Sequence, residues 1–231
     1  DLGLPILNDS AQSVFAKYKG AESTSLGKMS ILSFSTNKNI PIYGTYGAVL
    51  TDDDKLANDL YIIRRNGYLN RDAGNPSHVG LNAQPHADKS AQVYCSLQRS
   101  VQFQQRRQEL ADFYDSELHK LDIATRNSPW HSKKNNHKYT IFVNDKIGFR
   151  NKMADHGIEC QLHYTYNFAK ASVFGKNHNG EQYVGTEFYK RHAISIPCSP
   201  WHSDAEAETV VDSIKKCATI QDKKLTYANS I

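Results

Sequence analysis

Apolar and polar positions along the chain alternate between short β-type runs and stretches with helical spacing. Residues 5–9, Pro5-Ile6-Leu7-Asn8-Asp9, read as a short buried strand ending on a carboxylate. Residues 30–35 predict a second strand and residues 46–51 a third. Thr51 and Asp54 then form a capping signature, Leu56, Leu60 and Ile63 follow at helical spacing, and Gly67 supplies the stop. Residues 68–86, rich in Asn, Gly, Asp and Pro, predict an irregular loop. A long helix follows, whose second half lines up Phe103, Leu110, Phe113 or Tyr114, Glu117 or Leu118, and Leu121 on one face with Gln and Arg opposite.

The pattern changes after that helix. Residues 125–137 are polar and basic and predict an exposed loop; residues 138–143 predict a strand. Residues 145–156 predict a helix stopped by Gly157, and residues 158–166 another strand. Residues 168–190 read as a long loop containing Gly and Asn, and residues 193–197 as a strand. Ser203 caps a last helix with Val210, Ile214 and Cys217 on one face. Its acidic residues come early and Lys215-Lys216 late, which suits the helix dipole. The tail from Asp222 is polar and predicted to fray. Strands and helices alternate throughout, so the fold class is α/β. The domain boundary falls near residues 100–120, and the division taken is 1–105 and 106–231.

Composition narrows this picture without redirecting it. The 231 residues carry 28 Lys and Arg against 24 Asp and Glu, a net +4. Hydrophobic residues make up 39%, which fits one large domain or two small ones and excludes collagen-like, disordered and disulfide-dense classes. The charge excess is too small and scattered to argue for nucleic acid. No apolar run approaches the roughly 18 residues that cross a bilayer. The four cysteines, Cys95, Cys160, Cys198 and Cys217, form no CxxC pair and read as small buried residues in a reducing cytoplasm. The ten histidines form no HExxH or HxH pair, so no metal is expected.

Candidate chemistry gathers in the first forty residues. Asp9 ends one strand with Gln12 three residues on; Ser33 lies in the next strand with Lys38 five residues on. Ligands of open α/β sheets bind outside the carboxyl ends of strands, so Asp9, Lys38 and Ser33 are expected to converge on one crevice. A lysine in a partly dry site is a nucleophile toward carbonyls and forms a Schiff base. An aspartate aimed at a pyridine nitrogen keeps it protonated, the condition under which pyridoxal 5′-phosphate (PLP) stores electrons. A hydroxyl such as that of Ser33 serves a phosphate oxygen. The plainer readings stand beside these: Lys38 as a solvated surface lysine, and Asp9 as the cap of a helix starting at Ser10.

Several runs, taken together, resemble one family. They are Asn8-Asp9-Ser10-Ala11-Gln12, Lys17-Tyr18-Lys19-Gly20, and Leu32-Ser33-Phe34-Ser35-Thr36-Asn37-Lys38-Asn39-Ile40. After them come a Gly-containing turn ending Val49-Leu50-Thr51-Asp52-Asp53, Arg64-Arg65-Asn66-Gly67, Gly80-Leu81-Asn82, and Arg106-Arg107 through Ala111 and Tyr114. Gly157-Ile158 with His163-Tyr164, and Ser195-Ile196-Pro197-Cys198-Ser199-Pro200 with the last helix, complete the series. In this order they resemble the DegT/DnrJ/StrS-type sugar aminotransferases, fold-type I PLP enzymes, along essentially the whole chain. The resemblance implies a cytoplasmic homodimer that moves an amino group, from glutamate, to a nucleotide-linked keto-sugar in polysaccharide or deoxyamino-sugar biosynthesis. By position it implies Lys38 as the Schiff-base lysine and proton shuttle, Asp9 as partner of the pyridine nitrogen and Gln12 beside the ring. It further implies Ser33 as a phosphate contact, Asn82 reaching a neighbour's phosphate, and His163 and Tyr164 on the substrate side. A related dehydratase is disfavoured because that chemistry replaces the lysine.

The sequence also departs from the family. The turn at Tyr43-Gly44-Thr45 lacks the acidic G-E-G-G form, and Gln84 stands where an arginine is common, so it makes no bidentate contact. The chain opens Asp1-Leu2-Gly3 without Met, and in the family Asp9 falls well inside the large domain. The resemblance therefore implies the second part of the large domain plus a complete small domain. The first part, with its phosphate cradle and ring-stacking aromatic, would come from elsewhere, for instance as a separate chain. The alternative is an inactive or non-catalytic homologue that keeps the fold for assembly.

Overall fold

The computed structural model describes residues 2–70, 72, 74–126, 128–174 and 183–225. The chain divides into two compact units, Asp1–Gln104 with Ser128–Asn135, and Gln105–Asn127 with Asn136–Ile231. A single cut at 105/106 does not include the return of Ser128–Asn135 to the first unit.

The first unit is built on a three-stranded mixed sheet in the order β1-β4-β5. Strand β1 (Leu7–Asp9) runs parallel to β4 (Met29–Ser33), with Leu7 opposite Met29 and Asp9 opposite Ile31. Strand β5 (Gly47–Leu50) returns antiparallel, with Ile31 opposite Val49 and Ser33 opposite Gly47. Side chains alternate across a pleated strand, so one face carries Leu7, Asp9, Met29, Ile31, Ser33 and Val49. The other face sends Leu32 and Ala48 onto a small core of Phe34, Ile40 and Ile42, closed by Val14, Phe15 and Val93.

The strand at residues 5–9 is shorter than expected and is not buried: Ile6 and Leu7 are 62% and 56% exposed. It is an edge strand with β4 as its one neighbour, and no described residue covers its Leu7–Asp9 face. Strand β2 (Lys17–Tyr18) pairs with both β3 (Ala21–Glu22) and β6 (Ser132–Lys133), a second small sheet. Residues 125–137 are therefore no simple exposed loop, since part pairs as β6 and Asn135, Asn136 and His137 are buried. Two-residue strands leave no periodic signal.

Helix α1 (Asp54–Ile63) is capped by Asp53, not Thr51: the Asp53 carboxylate accepts from Leu56 N at 3.0 Å, and Thr51 Oγ1 accepts from Asp53 N. Lys28, 2.6 Å away, and the Leu56 N–H hold the Asp53 carboxyl below its ordinary range. Gly67 at φ +82 closes the helix end, its N–H bonded to Ile62 O. Helix α2 (Ala87–Lys120) follows the irregular 68–86 stretch. Its Leu110, Tyr114 and Leu118 are almost fully buried on the expected face, which decides for Tyr114 over Phe113 and Leu118 over Glu117, and Ala111 is buried beside them.

The second unit packs α3 (Lys146–Asp155) and α5 (Asp204–Cys217) against the antiparallel pair β7 (Tyr139–Phe142) and β8 (Ala193–Ile196). The core joins Leu110, Tyr114 and Leu118 to Ile141, Met153, Ile194, Val211 and Ile214. Three cysteines, Cys160, Cys198 and Cys217, are buried in this core, and Cys95 is exposed.

Residues 158–166 do not form the strand their composition suggested. The pairing is the isolated bridge Gln161–Ser195, after which the chain turns away through the short 3-10 segments Phe168–Lys170 and Ser172–Phe174. The 168–190 stretch holds helix α4 (Val184–His192), which aims Phe188 at Phe142, centroids 5.1 Å apart; residues 175–182 of it lie outside the described residues. The Asn- and Gly-rich run before it masked its amphipathic pattern. Asp222 is not frayed but buried, accepting from Asn144 N and from Thr219 N and Oγ1. Residues 226–231 of the predicted tail lie outside the described residues. Among the described residues no helix is long and apolar enough to cross a membrane.

Ser203 and Glu206 form a reciprocal capping box at α5. Ser203→Ala should lower the stability of the second unit by about 1 kcal/mol, with Ser203→Asp near neutral, in urea denaturation followed by circular dichroism.

Candidate active site

The carboxyl ends of β1 and β4 point the same way because the two strands are parallel. Asp9 ends β1 and Ser33 ends β4, on the same face of the sheet. Beyond Ser33 the chain stays close: Phe34 N bonds Tyr46 O, Ile42 N returns to Phe34 O, and Thr36 Oγ1 donates to Ile42 O. That closed loop carries Lys38, whose N–H bonds Ser35 O at 2.9 Å, so the half-buried Lys38 is anchored at the carboxyl end of β4.

Asp9 is held by its own turn. Its Oδ1 accepts from Ala11 N at 3.0 Å, and residues 11–15 run as turns rather than as the helix that a cap at Asp9 would start. Beneath it lies a buried polar knot absent from the sequence reading. Asn8 Nδ2 donates to Ser10 Oγ at 2.8 Å, to Ser30 Oγ at 3.4 Å and to Ser23 O. Ser10 and Ser30 are 0% and 1% exposed. Buried hydroxyls need partners, and here they find them in one amide that fixes β1 to β4.

Gln12 lies exposed on the same turn. Asn135 Nδ2 donates to Gln12 O at 2.8 Å and to Val14 O at 2.9 Å, while Asn135 O accepts from Asn39 Nδ2 at 3.5 Å. One asparagine thus ties the Gln12 turn to the residue after Lys38. No local signal marks it, because 123 residues separate it from Gln12.

The remaining candidates lie apart. Asn82 is exposed and bridges Arg65 at the end of α1, with Ala83 N bonded to Arg64 O. A groove of about 880 Å³ between β4–β5 and α1 is lined by Ile31, Val49, Leu50, Leu60, Tyr61 and Leu81, and by none of the candidate residues.

His163 and Tyr164 belong to the second unit. The His163 ring faces Ser195, and burial together with the Lys138 ammonium keeps it below the ordinary imidazole range. Lys146 Nζ donates to Tyr164 O at 3.0 Å, and burial and the Lys190 charge hold that lysine below its usual range. Asn167 donates to Glu187 at 2.7 Å, and Lys170 and Lys190 flank the carboxylate. Among the described residues no group of His, Cys, Asp and Glu is arranged to hold a metal.

The model of the DegT/DnrJ/EryC1/StrS aminotransferase family matches residues 1–215. The chain belongs to this family. Over 162 residues it is 28% identical to UDP-2-acetamido-2-deoxy-3-oxo-D-glucuronate aminotransferase of Pseudomonas aeruginosa, covering 70% of this chain and 45% of that protein. It is 25% identical to dTDP-3-amino-3,4,6-trideoxy-alpha-D-glucose transaminase of Streptomyces venezuelae, covering 96% of this chain and 58% of the relative. The crystal structure of S. venezuelae DesV in complex with a ketimine intermediate matches with a TM-score of 0.85 at 25% identity, over 93% of this chain and 58% of that one. The chain thus spans about half the length of the relatives it matches.

The family's enzymes are PLP-dependent. The residues at this sheet end fit the cofactor by their unsatisfied chemistry. Among the described residues Asp9 Oδ2 and Lys38 Nζ carry no hydrogen bond, and the Ser33 hydroxyl has Ser35 Oγ alone, at 3.5 Å. The carboxyl end of the sheet and the loop after it thus carry a carboxylate, an amine and a pair of hydroxyls with few partners, chemistry that fits a pyridine nitrogen, an aldehyde and a phosphate.

Asn8→Ala strands the Ser10 and Ser30 hydroxyls and should cost about 1–3 kcal/mol, with faster amide exchange across residues 7–12 than in wild type. Glu187 offers a pH test. The Asn167 amide, then Lys190 and Lys170, lower its carboxyl to about 2 from an ordinary 4.5. A depressed folded value stabilises above the ordinary one, and the contribution disappears as pH falls from about 4.5 toward 2. The melting temperature of wild type should drop over that window more steeply than that of Glu187→Gln.

Proposed function

We propose that this chain forms the cofactor-anchoring and small-domain part of a PLP-dependent aminotransferase that passes an amino group, from glutamate, to a nucleotide-linked keto-sugar. The observation that carries the reading is the open set Asp9, Ser33 and Lys38 at the shared carboxyl end of the parallel pair β1–β4. In fold terms the first unit corresponds to the second part of a fold-type I large domain, and the second unit to a complete small domain.

PLP supplies an aldehyde that accepts the amine and a ring that stores electrons. Lys38 would hold it covalently through Nζ, and the same amine, when free, would be the base and acid that moves the proton between donor and acceptor carbons. The Asp9 carboxylate holds the proton on the ring nitrogen. The hydroxyl of Ser33 holds phosphate oxygens, and Gln12 flanks the ring. Asn82 serves the phosphate of a second subunit, and His163 and Tyr164 receive the sugar.

Two exposed surfaces support partners for this machinery. The open sheet face with Leu7, Ile31 and Val49 suits packing by the part of the fold that the relatives have and this chain does not match, provided as a separate chain or upstream. Tyr94, Leu97 and Val101, 64%, 45% and 71% exposed on one stripe of α2, suit a homodimer contact.

The anchoring role is tested by titrating the protein with PLP and following visible absorbance. Wild type should acquire a band that glutamate bleaches, and Lys38→Ala should acquire none. Asp9→Asn should keep the colour and bleach on the order of 100-fold more slowly. Equal behaviour of wild type and Lys38→Ala contradicts the reading and favours the non-catalytic homologue.

A further inference from the structure

Strand β8 reads Ala193-Ile194-Ser195-Ile196, and its one polar side chain, Ser195, is 3% exposed. A lone hydroxyl in such a strand is costly to bury unless it is used. Ser195 is clamped on both sides. It stands directly opposite Thr140 of β7, and its N and O both pair with the backbone of Gln161, at 2.8 and 2.9 Å. Its Oγ lies 3.0 Å from His163 Nδ1 and 3.5 Å from Thr140 Oγ1. The two contacts form a short relay: Thr140 hydroxyl, Ser195 hydroxyl, imidazole.

Each hydroxyl has one proton to give, so the relay has a direction. If Thr140 donates to Ser195 and Ser195 donates to Nδ1, the neutral ring carries its proton on Nε2. If the order reverses, Nδ1–H donates inward and Nε2 is a bare acceptor. The oxygens of a ketone or of a diphosphate only accept, so the first order is the one that serves such a ligand.

We propose that Ser195 is a positioning residue that holds His163 as the Nε2–H tautomer, so that Nε2–H is offered to an acceptor oxygen of the nucleotide-linked substrate. This rests on the assignment of His163 to the substrate side. Segment 161–164 is suited to the task because it is fixed at three further points: the Gln161 backbone, the Gln161 side chain on Lys138 at 2.8 Å, and Tyr164 O on Lys146. The ring is thereby held at one end, and among the described residues its other nitrogen makes no hydrogen bond.

The test is two-bond ¹H–¹⁵N correlation NMR of the ¹⁵N-histidine-labelled full chain, with the His163 signals assigned by their loss in His163→Gln. Wild type should show one tautomer, protonated on Nε2. Ser195→Ala should show a mixture, Thr140→Val should weaken the preference, and Ser195→Thr, which keeps a hydroxyl on a strand-compatible side chain, should restore it. Adding UDP or dTDP should move the Nε2 resonance in wild type. In the PLP-loaded protein, Ser195→Ala should raise the KM for the sugar nucleotide about 3- to 10-fold, the equivalent of one neutral hydrogen bond, with the KM for glutamate unchanged. An Nδ1–H tautomer in wild type, or an unchanged tautomer in Ser195→Ala, overturns the relay. A Ser195-dependent tautomer whose Nε2 resonance ignores both nucleotides overturns the recognition role. Neither outcome depends on whether Lys38 takes up PLP, so failure here is separable from failure of the aminotransferase reading.

Discussion

The parallel register of β1 on β4 is the constraint from which the first unit's chemistry follows. It sets Asp9 opposite Ile31 and therefore two residues short of Ser33, so a carboxylate and a hydroxyl leave the sheet at the same end and on the same face. A slip of one residue would send Asp9 to the opposite face, among Leu32 and Ala48. Backbone bonds in a three-residue strand cannot by themselves forbid that slip. The Asn8 amide opposes it, because in the observed register it reaches two groups outside its own strand, Ser30 Oγ and the Ser23 carbonyl.

The second unit uses the same device differently. Segment 161–167 is irregular, and side chains rather than a ladder hold it: Ser195 and Lys146 tie its carbonyls and ring, and Asn167 is locked onto Glu187. Glu187 in turn sits between two lysines, and the Asn167 amide with these charges holds its carboxyl well below the ordinary range. Irregular backbone is suited to carrying ligand-facing groups, and the rigidity it lacks is restored by polar contacts with regular elements.

What the sequence made legible were the long or strongly periodic elements. The α/β class, α1, the buried face of α2, α3 with its Gly157 stop, and the Ser203 cap follow from spacing and cap residues that act within a few positions. The misses share a physical cause, since they depend on partners far away in sequence. The pairing of β2 with β6 joins residues 17 and 133, the Asn135 bonds span more than a hundred residues, and Asp222 is buried by Asn144. The strand expected over 158–166 failed for the converse reason, because its β-favouring residues find just one bridging partner, Ser195. At the site, family resemblance supplied the residue names. The sheet sets Asp9 and Ser33 at one end and on one face, and the supporting contacts of Asn8 and Asn135 carry no local sequence signal.

The central claim is that Lys38 is the covalent anchor for PLP. Borohydride reduction of the protein incubated with PLP, followed by peptide mass mapping, tests it most directly. The account predicts a phosphopyridoxyl group on the peptide containing Lys38. Its absence there, or its appearance on other lysines at equal yield, would contradict the account.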